Sequence, residues 1–272
     1  MHLTEIKQLL TEYDANALKK YGQNFLIDDR ILKAISNSLN NKTNSVIEIG
    51  PGLGSLTRFL VQDYTEVMAY EIDPKMVKVI KNTLPSVKVI EGDFLKQDVK
   101  KDIKEYLTTI PSIISNLPYY ITTPIIMKIL EELDEVNYFT LMMQKEVASR
   151  IIAKHGNKDY GSLSILLQVY FEIAKVIDVS PHAFYPEPDV SSTVLKFERR
   201  IEPLYTIKNH ESFKQITKLL FAQRRKTIYN NLKTKYSKDQ IEMVLNQLQI
   251  TPNKRSEELP IEVIVKLCNL LS

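Results

Sequence analysis

At 272 residues and 44% hydrophobic, the chain is long enough to bury one α/β core with a small second domain left over, and no apolar run is long enough to span a bilayer. One cysteine, Cys268, and four scattered histidines, His2, His155, His182 and His210, offer neither a disulfide nor zinc-ligand spacing, so metal and thiol chemistry are set aside. The net charge of +3 is unevenly spread: residues 204–272 carry 12 Lys+Arg against 6 Asp+Glu, which leaves the first 203 residues mildly acidic. A basic tail of this kind suits a polyanionic partner, because every phosphate contact releases counterions; a solvated basic helix bundle is the alternative.

In chain order, the start, Met1-His2-Leu3-Thr4-Glu5-Ile6-Lys7, lacks the basic-then-apolar pattern of a secretory signal, so the cytoplasm is the expected compartment. Lys19-Lys20-Tyr21-Gly22-Gln23-Asn24-Phe25-Leu26 mixes cations, aromatics and amides ahead of an amphipathic helix that Asp28 can cap, with Ile31, Leu32, Ile35 and Leu39 inward. Such a loop either lies over a ligand, its lysines free for phosphate, or is an arm tied down by Tyr21 and Phe25.

Residues 45–57 then read as a β-branched strand running into Gly50, Gly52 and Gly54, with a helix following. Glycines at every second position let backbone approach a ligand closely. This is a nucleotide-type loop, although neither a Walker loop nor the G-x-G-x-x-G fingerprint, and Glu48 precedes it. A second strand, 66–71, ends in Glu71, about 20 residues past the first glycine, where an acid can take both ribose hydroxyls. A third, 87–94, ends in Asp93 followed by Phe94, an acceptor for an adenine amine beside an aromatic.

The fourth strand delivers Asn116-Leu117-Pro118-Tyr119-Tyr120. Ile113 and Ile114 suit a strand covered on both faces, while Pro118 fixes its own φ and pushes Leu117 out of the helical region. Asn116 offers a carbonyl acceptor and an amide donor, and Tyr119 a flat face beside it; together they suit a planar ring bearing an amine. The alternative is a turn in which Asn116 caps the next helix and the tyrosines are core. Four such groups at the carboxyl ends of successive strands line one crevice, as open α/β sheets do for their ligands.

Beyond it, residues 125–133 are helical in pattern, 138–143 form a buried strand, and 192–197 alternate as the strand that closes the sheet. Lys145 and Arg150 fall on a helix as either phosphate contacts or ordinary surface charge. After Pro203 the apolar positions repeat at helical spacing with breaks near Ser237, Pro252 and Pro260, giving a helical domain at 204–272 behind a catalytic domain at 1–203. Arg224, Arg225 and Lys226 are its densest basic cluster, facing RNA or with one arginine used structurally.

Glu48-Ile49-Gly50-Pro51-Gly52-Leu53-Gly54, Glu71, Gly92-Asp93-Phe94 and Asn116-Leu117-Pro118-Tyr119 resemble the successive motifs of class I S-adenosylmethionine-dependent methyltransferases that act on adenine N6. Gly22-Gln23-Asn24-Phe25-Leu26, Gln144-Lys145-Glu146-Val147-Ala148-Ser149-Arg150, Phe184-Tyr185-Pro186-Glu187-Pro188 and Phe221-Ala222-Gln223-Arg224-Arg225-Lys226-Thr227 narrow the resemblance to the KsgA/RsmA family of small-subunit ribosomal RNA adenine dimethyltransferases.

The resemblance implies a Rossmann-like seven-stranded sheet with a small C-terminal all-helical domain, S-adenosyl-L-methionine as methyl donor, and dimethylation of two adjacent adenosines near the 3′ end of 16S rRNA by a monomer on the small ribosomal subunit. It also assigns residues. Asn24 and Leu26 would close over the cofactor, whose loop is Glu48, Gly50 and Gly52; Glu71 would hold the ribose and Asp93 the adenine. Asn116 would both touch the cofactor and accept from the target amine, with Tyr119 and Phe184 stacking the base. Lys19, Lys20, Lys145, Arg150, Arg224, Arg225 and Lys226 would meet RNA. Two other readings stand beside this one, a resistance-type enzyme acting on 23S rRNA and a non-catalytic RNA-binding assembly factor; the Leu after Asn116 argues against the first, the intact loop and corner against the second.

Overall fold

The computed structural model describes residues 1–15, 23–39 and 42–272. Helix α1 (Leu3–Glu12) and the two-residue strand β1 (Phe25–Leu26) precede α2 (Asp29–Ser36), whose first turn is capped by Asp28 accepting from the Arg30 N–H at 2.9 Å. Strands and helices then alternate: β2 (Ser45–Ile49), α3 (Thr57–Asp63), β3 (Glu66–Glu71), α4 (Pro74–Thr83), β4 (Lys88–Glu91), α5 (Val99–Tyr106), β5 (Ser112–Asn116), α6 (Thr122–Glu132), β6 (Tyr138–Gln144) and α7 (Lys145–Ile152). Where helices start, the side chains fit: Asp73 caps α4 ahead of Pro74, and Asp98 caps α5. Further on come α8 (Ser162–Tyr170), β7 (Phe171–Val179), β8 (Phe184–Tyr185), β9 (Ser192–Arg199), and then α9 (His210–Leu220), α10 (Ile228–Leu232), α11 (Lys238–Gln247) and α12 (Ile261–Leu271).

Seven strands form one sheet in the order β4-β3-β2-β5-β6-β9-β7, parallel from β4 to β6 and antiparallel between β6 and β9. Helical crossovers leave the parallel strands covered on both faces, and Ile47, Ile113 and Ile114 are fully buried. Burying each such side chain stabilises the fold by roughly 1.5–3 kcal/mol. Because β2 pairs β3 on one side and β5 on the other, the strand order reverses there, and a crevice opens at their carboxyl ends.

The strand expected to close the sheet, at 192–197, lies inside it, between β6 and β7. Its register with β6, from Tyr138 opposite Glu198 to Gln144 opposite Ser192, buries Thr193, Val194, Leu195 and Phe197. Strand β7 takes the edge instead. Glu172, Lys175 and Asp178 give it the charged character that suits an edge.

By contacts the chain forms two compact units, Met1–Ala148 with Ile173–Arg199, and Ser149–Glu172 with Arg200–Ser272. The expected division into 1–203 and 204–272 differs from this at residues 149–172 and 200–203, which group with the helical unit. Tyr160 explains this: it is fully buried, donates to the Leu259 carbonyl at 3.2 Å and meets Phe221 edge to face at 5.9 Å. The rest of that unit follows the helical spacing, with Phe213, Ile216, Ile228, Leu232, Ile241, Val244, Ile264 and Leu267 fully buried, and Asn209, Thr227 and Ser237 capping α9, α10 and α11.

Candidate active site

The crevice is lined from the first unit by Asn24, Leu26, Glu48, Gly50, Gly52, Glu71, Asp93, Asn116 and Tyr119, so these expected site residues are brought together. Gly50 and Gly52, directly after β2, have φ of +71° and +56°, a region where a side chain is strained. At Gly52 there is a second reason for glycine: a Cβ would lie 3.1 Å from Phe25 Cε1, so its absence lets β1 close over the loop.

The Gly52 N–H donates to Glu71 Oε2 at 3.0 Å, and the Asp73 N–H to Oε1 at 2.8 Å. Glu71 is thus fixed at the end of β3 by backbone donors. Burial pushes its carboxyl above the usual range, opposed by those two hydrogen bonds. Glu48 is more extreme. It is 2% exposed, and burial raises it to about 8, with the Thr57 hydroxyl opposing and the Glu71 charge adding. By distance and angle, however, Glu48 Oε2 and Thr57 Oγ1 both lack a hydrogen-bond partner. At pH 7 Glu48 therefore holds its proton, with one polar atom still unsatisfied.

Beyond β4, Asp93 Oδ1 accepts from the Leu95 N–H at 3.0 Å and opens the short turn Phe94–Lys96. Phe94 itself is buried, edge to face against Tyr70 at 5.2 Å, while Leu95 and the 41%-exposed Ile72 sit at the crevice. Sequence reading missed Ile72 and Leu95, whose only signal is their place directly after an acid or an aromatic at a strand end.

At the end of β5, Asn116 does not cap the following helix, since the N-cap of α6 is Ile121 and no side chain caps it. Asn116 Nδ2 donates instead to the Asn24 carbonyl at 3.4 Å, which presents Oδ1 as the remaining acceptor. The Tyr119 hydroxyl and Ser192 Oγ share a hydrogen bond of 2.7 Å; burial raises the phenol, so it stays neutral. Tyr120 follows at the crevice and is 57% exposed.

Phe184, expected as the second stacking face, does not line the crevice in this structure. Its strand pairs with β1, with Phe184 opposite Leu26, and its side chain is 2% exposed in a core cluster with Leu26, Leu32 and Ile35. Among the expected RNA contacts, Lys19 and Lys20 lie outside the described residues, and Lys145 and Arg150 are exposed on α7. Arg225 and Lys226 are exposed in the turn between α9 and α10. Arg224 is different: its Nη2 donates to the carbonyls of Lys158 and Tyr160 and meets Glu257 at 3.3 Å, so it ties the helical unit together.

The chain is similar to known proteins over nearly its whole length. Residues 15–272 match the family model described as ribosomal RNA adenine dimethylase. A protein of Geobacillus sp. (strain WCH70) named ribosomal RNA small subunit methyltransferase A is 41% identical, over 97% of this chain and 95% of that one. Its namesake in Staphylococcus aureus (strain bovine RF122 / ET3-1) is 42% identical over 97% and 93%. Among solved structures, a dimethyladenosine transferase from Plasmodium falciparum is similar with a TM-score of 0.74 and 26% identity, over 89% of this chain and 95% of that one. The 23S rRNA methyltransferase ErmE is similar with 0.68 and 27%, over 91% and 99%.

Proposed function

The chain belongs to the ribosomal RNA adenine dimethylase family, and on that premise we propose what each residue of its crevice does. It is an rRNA adenine N6-dimethyltransferase with S-adenosylmethionine as methyl donor. The residues fit that cofactor: an unsatisfied buried Glu48 oxygen, a glycine loop whose positive-φ residues Gly50 and Gly52 line the crevice, and an acid anchored at the next strand end. When bound, the cofactor supplies a methyl group already activated on a sulfonium, so no protein nucleophile is required.

The chain's own work is alignment. Glu71 holds the ribose hydroxyls, and Asp93 takes the adenine amine with the oxygen that Leu95 does not use. An aniline-like amine is a weak nucleophile while its lone pair is delocalised into the ring. Asn116 Oδ1 accepts one of its hydrogens and localises that pair. The Leu117 carbonyl is the second acceptor of the corner, beside a Pro118 carbonyl that already takes the Ile121 N–H at 3.2 Å. Tyr119 supplies a stacking face for a base drawn out of its helix. Phe184 acts from the core, in the cluster that holds Leu26, which itself lines the crevice. Asn116 carries the reading, because the bond from its amide to the Asn24 carbonyl supports an Oδ1 turned toward the target.

The target is a pair of adjacent adenosines near the 3′ end of 16S rRNA, met on the small ribosomal subunit in the cytoplasm by a monomer. Lys145, Arg150, Arg225 and Lys226 contact phosphate, with Arg224 setting the turn that carries the last two. No helix among the described residues is long and apolar enough to cross a membrane. The test is transfer from labelled S-adenosylmethionine to small subunits lacking the modification, with large subunits alongside and mass spectrometry of the nucleosides. Dimethyladenosine confined to small-subunit RNA is the expected result; label in the large subunit would move the enzyme to the ErmE type, and label in neither would leave binding as its role.

A further inference from the structure

The turn that carries Asp93 is short and makes few bonds of its own. Asp93 Oδ1 takes the Leu95 N–H at 3.0 Å, the Lys96 N–H reaches the Asp93 carbonyl at 2.9 Å, and the Gln97 N–H reaches the Phe94 carbonyl at 3.3 Å. The carbonyls of Leu95 and Gln97 point out of this pattern. Both are met by one side chain, Lys128 of α6, whose Nζ lies 3.3 Å from the first and 3.1 Å from the second. Its third N–H goes to Glu132 Oε2 at 2.7 Å.

Lys128 is only 8% exposed. A lysine so placed is rare, and a methionine of similar length would fill the space without burying a charge. What the ammonium adds is three fixed donors, and all three are used. Two of them secure a turn whose Asp93 and Leu95 line the crevice. Helix α6 is itself held at its far end, where Arg199 donates to the carbonyls of Ile129, Leu133 and Val136 at 3.1–3.2 Å. At its near end α6 grows out of the Asn116-Leu117-Pro118-Tyr119 corner through the turn Tyr119–Ile121. One helix thus connects the two halves of the crevice.

We propose that Lys128 is a positioning residue: through the Leu95 and Gln97 carbonyls it sets Asp93 to read the cofactor's adenine, in register with the corner that holds the target base. This rests on Asp93 as acceptor for the cofactor's exocyclic amine. The ligand pair that isolates it is S-adenosylhomocysteine and its analogue with hydrogen in place of the exocyclic amine at C6 of the purine.

Calorimetric titration of the wild type should show a clear preference for the adenine ligand, because a site built to bond an N–H rejects the analogue lacking it. Lys128→Met should reduce that preference roughly tenfold, about the worth of a misaligned hydrogen bond to a charged group, and raise the KM for S-adenosylmethionine by a similar factor with kcat at saturation changed less. Lys128→Gln keeps N–H donors on a shorter arm, should fall between the two, and serves if the methionine variant does not fold. A wild type indifferent to the amine would remove the reading of Asp93 itself. Wild-type preference and KM in both variants would overturn the role of Lys128 alone, as would an equal loss of affinity for both ligands, which marks packing and nothing more.

Discussion

In the crevice, Glu48 and Glu71 are buried, and Glu71 is held by backbone groups; in the turn between α9 and α10, Arg225 and Lys226 stand in water. Glu48 and Glu71 are 2% and 4% exposed, and Glu71 uses both oxygens on backbone N–H groups. Removing a group there leaves its partner buried and unsatisfied, so each change acts strongly and locally. A solvated cation is worth something only when a phosphate arrives, and then in proportion to the salt it displaces. Arg224 marks the border between the two cases, since its neighbours already occupy Nη2 of its guanidinium.

The largest effect should come from Asn116→Ala. Losing a fixed acceptor for the reacting amine should slow single-turnover methyl transfer roughly 10²–10³-fold, while RNA affinity stays near wild type. Wild-type turnover in that variant would remove Asn116 from the mechanism.

Glu48→Gln tests the buried side of the comparison through pH. Its folded pKa is raised from 4.5 to about 8, so the fold binds this proton more tightly than the unfolded chain does. The stability it contributes is therefore fully present below about pH 4.5 and lost as pH rises to about 8. Urea titrations at pH 5, 7 and 8.5 should show the glutamine variant gaining on the wild type with rising pH, by on the order of a few kcal/mol across the window. Parallel stability curves for the two proteins would mean that Glu48 is ionised in the fold.

The smallest effects belong to the exposed cations. Reversing Arg225 and Lys226 to Glu should weaken RNA binding several-fold and flatten the plot of log K against log salt by about one unit per lost contact. Arg224→Ala should leave that slope alone and lower stability by no more than about 1 kcal/mol, because the half-exposed ion pair is screened. An unchanged slope in the first variant, or a flattened one in the second, would reverse the division drawn here.

Much of this was legible in the chain. Strands β2 to β5 announced themselves by β-branched runs, and their end residues, Gly50, Glu71, Asp93 and Asn116, by chemistry that only a ligand would use together. The order β9-β7 was not legible, because which of two strands takes an edge depends on what the other buries. Segment 149–172 carried no mark of its partner either; Tyr160 joins residues near 221 and 259, far away in sequence.

The sequence by itself determined the alternation of strands and helices, the crevice at their carboxyl ends and the identity of its polar groups, because periodicity and turn chemistry are local. Only the tertiary structure decided which of those groups remain available. It placed Phe184 in the core, gave Arg224 to the carbonyls of its own unit, pointed the Asn116 amide at Asn24 and buried the Lys128 charge behind Asp93. Each outcome depends on partners far apart along the chain, and hydrogen bonding is decided by proximity in space.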